Sequence, residues 1–236
     1  MIHGILKGNK HSYYDFGLIM IDRKIEIPTK NKIKIQVPFM NGSYDLSKLY
    51  NSEIYNERKL RYIFRLKGRN IQDINNKYTS IVNWLVNNSK EKLYDDLFPG
   101  FYFLAECEGS LNFTELNVNK KYATFEVEFI AYPFRIGEYF EGNNLWDNFN
   151  FESDVLQDTK FTVNGYANVN IYNSSAIDIE PAIIASSEFE IIKDNKKYVV
   201  KAGESKDYRF KLKKGNNNIT LKGNGTIEFR FRKEVL

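Results

Sequence analysis

Few side chains in this 236-residue chain are suited to covalent or proton-transfer chemistry: its histidines are His3 and His11 and its cysteine is Cys107. A thiol nucleophile works as the thiolate. Cys107 lies between Glu106 and Glu108, whose carboxylates oppose its deprotonation, so it reads as a small residue at a strand end rather than a partner for His11. No His-x-x-x-His, Cys-x-x-Cys or Asp-x-Asp-x-Asp-Gly spacing is present to hold zinc or calcium, and no Gly-x-Ser-x-Gly elbow presents a serine. Gly215-Asn216-Asn217-Asn218 and Gly223-Asn224-Gly225 lack the Lys-Ser/Thr and following helix of a phosphate loop and read as hairpin turns. The reading is a protein with no catalytic residue, no cofactor and no metal ligand.

Two features suit binding instead. Arg209, Lys211, Lys213 and Lys214, with Arg230, Arg232 and Lys233, would form a positive stripe if adjacent, although the wet face of an antiparallel sheet explains the same pattern. Trp146, Tyr166 and Tyr172 are aromatics that would stack on a sugar ring if exposed, and Trp146 stands where packing between domains would also use it.

Composition narrows the partners. The net charge of +4 comes from 34 basic and 30 acidic side chains that are interspersed, too balanced for nucleic acid. The start, Met1-Ile-His-Gly-Ile-Leu-Lys-Gly, has no signal-peptide core, and no stretch nears the roughly 18 apolar residues of a membrane span. A single cysteine excludes an intrachain disulfide. Aromatics at 15% favour strands.

Period-two alternation dominates. Ile33, Ile35 and Val37 read as a half-buried strand, as do Leu60, Tyr62, Phe64 and Leu66, and Ala123, Phe125, Val127 and Phe129, the last ending at Pro133. Ile71, Ile74, Tyr78, Ile81, Val82, Leu85 and Val86 instead follow helical spacing behind Asn70, a suitable N-cap, which predicts one helix over about 70–88. The pattern relaxes after Glu138, so the expected domains are 1–138 and 139–236. Beyond the boundary, short runs at Phe161–Val163, Val169–Ile171, Phe189–Ile191, Tyr198–Val200, Tyr208–Leu212, Ile219–Leu221 and Ile227–Phe231 alternate with turn residues at Asn164-Gly165, Asp194-Asn195 and Gly223-Asn224-Gly225, as in a sandwich. The fold class expected is mainly β: an N-terminal β-sandwich with one α-helix, then a C-terminal β-sandwich.

Taken in order, short segments resemble one family. Ser12-Tyr13-Tyr14-Asp15-Phe16-Gly17-Leu18 is similar to the S-x-x-D-F-G-L opening of siphophage distal tail (Dit) proteins. Val37-Pro38-Phe39-Met40-Asn41-Gly42-Ser43-Tyr44-Asp45 resembles their V-P-G-x-x-G-x-Y-D, with Phe39 in place of glycine, and Asn56-Glu57-Arg58-Lys59-Leu60 resembles N-R-x-L. Tyr132-Pro133, Val169 to Asn173, Glu180 to Ile184 and Lys213 to Ile219 fall at further family positions, with Ser174-Ser175 replacing a glycine. The resemblance implies a galectin-like or carbohydrate-module-like C-terminal sandwich and an N-terminal domain that forms a hexameric ring joining the tail tube to tail-associated and receptor-binding proteins. It implies a virion protein of the tail tip, assembled in the bacterial cytoplasm, with neither membrane nor nucleic acid as partner. Ring closure needs complementary surfaces on opposite sides of each subunit, so Asn41 to Leu60 is expected to act as an arm, with Tyr44, Asp45, Tyr50 and Arg58 as contact candidates. Competing expectations are a carbohydrate-binding protein using Trp146, Tyr166 or Tyr172, and a tube-forming tail protein.

Overall fold

The computed structural model describes residues 3–47, 54–86, 89–108, 111–117, 121–143 and 155–236. The chain divides into two compact units, Met1–Ile136 and Gly137–Val235, with the final Leu236 grouping with the first. The first contains β1 (Ile5–Lys7), β2 (Lys10–His11), β3 (Ile19–Ile25), β4 (Lys34–Ile35), β5 (Tyr44–Asp45), β6 (Arg58–Lys67), α1 (Ile71–Val86), β7 (Glu91–Asp95), β8 (Phe101–Cys107), β9 (Asn112–Leu116) and β10 (Tyr122–Ala131). The division falls in β11 (Arg135–Gly137).

The first unit is built on the pairing of β6 with β10. Ten residues of each strand run antiparallel in unbroken register, from Tyr122 opposite Lys67 to Ala131 opposite Arg58. Successive side chains point to opposite faces, so Leu60, Tyr62, Phe64 and Leu66 share one face with Ala123, Phe125, Val127 and Phe129, and all eight are buried. The outer face carries charge pairs such as Lys59 with Glu128 at 2.6 Å, and Arg61 with Glu126. Around this pair the strand order is β2-β1-β7-β8-β10-β6-β3, with β9 also against β10.

Helix α1 covers the apolar face with Ile74, Ile81 and Leu85. Its start is a reciprocal cap: Asp73 N donates to Asn70 Oδ1 at 2.9 Å, and Arg69 N donates to Asp73 Oδ2 at 2.9 Å. Gly68 permits the sharp return from β6, since a Cβ there would sit 2.4 Å from Ile74 Cγ1. Near the helix's far end, Trp84 stacks on Phe16 at 4.6 Å and donates from Nε1 to Lys7 O.

The Ser12 to Leu18 segment is a closed structural turn. Ser12 is buried and its Oγ accepts from Ile5 N, Asp15 Oδ2 accepts from His11 N at 2.6 Å, Gly17 takes φ 65°, and Leu18 is fully buried.

In the second unit, β12 (Lys160–Asn173), β13 (Ala182–Ala185), β14 (Phe189–Lys193), β15 (Lys196–Val200), β16 (Gly203–Ser205), β17 (Gly215–Arg230) and β18 (Glu234–Val235) follow. The long β17 pairs with β12 over fourteen residues on one edge, and on its other edge with β14 and then β13. Val163, Ile171, Phe189, Ile191, Phe210, Leu221 and Phe229 meet in one core. Asn173 and Asn217 hold the β12–β17 end together. Asn173 Nδ2 donates to Ile177 O and Leu212 O, and Asn217 Nδ2 reaches the carbonyls of Ile171, Lys213 and Gly215. Ser175, which stands near the family glycine, is buried with its N–H donating to Asn173 Oδ1.

Three expectations need correction. Asn164-Gly165, Gly215-Asn216-Asn217-Asn218 and Gly223-Asn224-Gly225 are not turns: Gly215 to Asn218 begins β17 and pairs with Asn170 to Asn173 of β12, and the other two face each other inside β12 and β17, with Gly165 opposite Gly223. Glycine is needed there for proximity, because a Cβ on Gly223 would lie 2.7 Å from Phe189 Cδ1 and one on Gly225 2.3 Å from Ser186 Oγ. Tyr208 to Leu212 is not a strand but an irregular segment that buries Phe210 and Leu212 and makes one bridge, Leu212 to Ile179. Ile33, Ile35 and Val37 are exposed rather than half-buried. The Asp194-Asn195 turn does form, both residues having positive φ (51° and 60°), as a tight two-residue hairpin demands.

Phe125→Ala should destabilise the first unit by about 3–5 kcal/mol, measured by urea unfolding, because it leaves a void against Phe64 and Tyr78. Hydrogen bonds from Lys213 and Lys193 lower the Asp194 carboxyl from 3.8 to about 2. Its contribution to stability is therefore present above its ordinary value and lost as pH falls from about 4 through about 2. Asp194→Asn should flatten that part of a stability profile taken by urea unfolding.

Candidate assembly surface

Between the end of β3 and the start of β6 the chain leaves the sheet and returns. Its base is a short ladder: Lys30 bridges Tyr55, Asn31 N donates to Ile54 O, and Asn56 N donates to Thr29 O. Further out, β4 pairs with β5, aligning Lys34 with Asp45 and Ile35 with Tyr44. Leu46 N donates to Ile33 O, and Ile33 N to Ser47 Oγ, continuing the pairing. Local hydrogen bonds thus shape the excursion into an arm, though most of its described side chains are exposed, Pro28 being buried and Tyr55 packing on Phe134.

That exposure is unusual in kind. Ile27 is 78% exposed, and Ile33, Ile35, Val37, Tyr44 and Ile54 are all exposed. Scattered apolar side chains on a surface need no explanation, but six on one segment, with Ile35 directly opposite Tyr44, leave a concentration of apolar surface in water. At the tip Phe39 is fully exposed and holds φ 67°, a left-handed conformation that glycine takes freely and phenylalanine rarely. The aromatic is kept at a strained, solvent-facing turn with no partner among the described residues of its own unit to reward it.

The candidates fall unequally on this surface. Tyr44 and Asp45 lie on β5, both exposed, and Asp45 is held below the usual carboxylate value by its hydrogen bond with Ser47. Tyr50 lies outside the described residues. Arg58 is only 4% exposed, with its guanidinium 5.5 Å from the centre of the Phe103 ring and Nε donating to Glu26 O. Burial lowers it to about 10. It is therefore not grouped with Tyr44 and Asp45.

The model of the phage tail protein RIFT-related domain matches residues 11–131, just over half of the chain. The chain belongs to this family of phage tail proteins. The family region holds Ser12, Asp15 and Gly17 of the closed turn, the arm, and the β6–β10 pair. Among solved structures the chain is similar to the Dit protein (gp 19.1) of phage SPP1, described as a paradigm of the hub adsorption apparatus in phages infecting Gram-positive bacteria. That likeness has a TM-score of 0.66 and covers 100% of both chains at 11% identity, so it concerns the fold along the full length. No curated protein matches the sequence. As a tail protein family member, the chain is a structural component of the virion.

The remaining candidates are dispersed. His11 does not meet Cys107: its Nε2 lies 3.2 Å from Asp96, and its Nδ1 accepts from Tyr13 N and Tyr14 N, while Cys107 sits opposite Phe129 in the sheet. The basic side chains form no uniform stripe, since Arg209 pairs with Asp207, Lys211 with Glu180, Lys213 with Asp194 and Arg230 with Glu228. Arg232 covers the Phe140 ring at 4.0 Å, and Lys233 is buried. No helix among the described residues is long and apolar enough to cross a membrane, and no acidic, histidine or cysteine group there is placed to hold a metal. Trp146 lies outside the described residues. Tyr166 and Tyr172 stand exposed on the outer face of β12.

The arm expected from the sequence over Asn41 to Leu60 did not include Ile33, Ile35 and Val37, because their alternation is the same signal whether the covering surface belongs to this chain or to another. Replacing Phe39 with glycine should relieve the left-handed strain, raising the stability of the isolated chain by about 1 kcal/mol in urea unfolding.

Proposed function

We propose that this protein is the hub of a phage tail tip, six copies closing into a ring that joins the tail tube to the tail-associated and receptor-binding proteins. The observation that carries the reading is the arm between β3 and β6, whose Ile33, Ile35, Val37, Phe39 and Tyr44 are exposed on a segment that pairs mainly with itself. Another subunit is the occupant that closed symmetry supplies at no cost in new partners: the arm of each copy meets a different surface of the next, a head-to-tail contact that ends when the ring closes. Family membership and the shared fold with SPP1 Dit support the same assignment. In this reading the protein works through interfaces, is not an enzyme, and resides at the virion tail tip after assembly in the host cytoplasm. Tyr44 and Asp45 lie at the contact. Arg58 acts from within, fixing the start of β6 where the arm rejoins the sheet.

Light scattering on the purified chain, with negative-stain images of the same fraction, tests this. Rings of about six subunits are expected. Ile35→Asp with Tyr44→Asp should give a monomer whose melting temperature is unchanged, because both side chains are already solvent-facing. Intact rings from that variant would sink the proposal, and long tubes from the unaltered chain would make it a tube-forming tail protein instead.

A further inference from the structure

The outer face of the β12–β17 ribbon has a composition that a merely wet surface does not need. Along β12, Asn164, Tyr166, Asn168, Asn170 and Tyr172 point away from the core; opposite them on β17 stand Asn224, Lys222, Thr220, Asn218 and Asn216. Asparagine is disfavoured in strands, where its short amide competes for backbone hydrogen bonds, and threonine or lysine would solvate such a face at lower cost. Six asparagines on one face of one ribbon therefore oppose the local folding preference.

Their side chains are organised. Tyr166 OH and Thr220 Oγ1 both donate to Asn168 Oδ1, at 2.9 and 2.8 Å, and Asn170 Nδ2 lies 3.3 Å from Asn216 Oδ1. With its oxygen occupied, Asn168 presents its Nδ2 hydrogens outward, and Asn170 keeps its oxygen for an acceptor role. Asn168, Asn170, Asn218 and Thr220, over Val169 and Ile219, line an open depression of about 390 Å³. Tyr166 and Tyr172 mark its two ends along the strand, six residues or about 20 Å apart at 3.3 Å per residue.

We propose that this face binds a neutral polysaccharide chain laid along the ribbon. Hydroxyl groups both donate and accept, matching a row of amides that do the same, and the apolar face of a sugar ring stacks on a tyrosine. The spacing of the tyrosines suits several consecutive sugar units rather than one. The charge on the face also selects: between Asn164 and Tyr172 on β12 and Asn216 and Asn224 on β17, Lys222 is the one charged side chain, and it lies 3.6 Å from Glu190, which also pairs with Lys197 at 2.6 Å. With its lysines already held by a carboxylate, the face offers little attraction to a polyanion.

Affinity electrophoresis of the purified chain through gels containing dextran, galactomannan or a soluble β-glucan, or a polyphosphate-backbone teichoic acid, provides the test. Retardation is expected in at least one neutral gel, weakened about tenfold in a Tyr166→Ala/Tyr172→Ala variant and in an Asn168→Ala/Asn170→Ala variant. Thermal melting of each variant establishes that it is folded. Migration unaltered by all three neutral polysaccharides, retardation by the polyanion alone, or folded variants retarded as strongly as the unaltered chain would each overturn the proposal. Ring formation is measured separately, so either reading can fail without the other.

Discussion

The pairing of β6 with β10 is the constraint on which the first unit depends. A side-chain period of two leaves no freedom once ten residues are aligned: a slip of one position would carry four aromatic or aliphatic side chains on each strand from the core into water. With Phe64 opposite Phe125 and Leu60 opposite Phe129, the buried face is defined, and the helix, β8 and the Ser12 to Leu18 turn are then placed by what that face still exposes. Arg58 and Ala131 terminate the same ladder, so the arm leaves and rejoins the unit near the end of its most rigid element.

That rigidity gives the arm its meaning. An apolar segment on a mobile tether would collapse onto the nearest core, whereas Ile33, Ile35 and Tyr44 are held outward by the two short ladders at Lys30–Tyr55 and β4–β5. Burial of these side chains contributes little within the described residues of the unit. Phe39 follows the same logic at a cost in backbone strain, since nothing among the described residues of its own unit is gained by placing phenylalanine where the chain adopts φ 67°.

The second unit solves a different problem with one long strand. β17 carries β12 along one edge and two shorter strands along the other, and the glycines at 223 and 225 let the neighbouring segment approach closely without breaking the ladder. Asn173 and Asn217 then stitch the open end with buried amides, satisfying carbonyls that irregular segments would otherwise leave unpaired.

Much of this was legible in the residues themselves. The alternation at Leu60 to Leu66 and at Ala123 to Phe129, the three- and four-residue spacing from Ile71 to Val86, and Asn70 as its cap are local patterns, and local geometry sets them. The ordered family segments from Ser12 to Asn56 likewise pointed to a tail protein. Tertiary structure decided what local pattern leaves degenerate. Glycine-asparagine pairs mark a turn or a close approach, and only the strand lying across Gly223 distinguishes them. Alternating isoleucines mark a strand face, but whether that face meets its own core or water depends on what else the chain folds against it, and at Ile33 and Ile35 it is water.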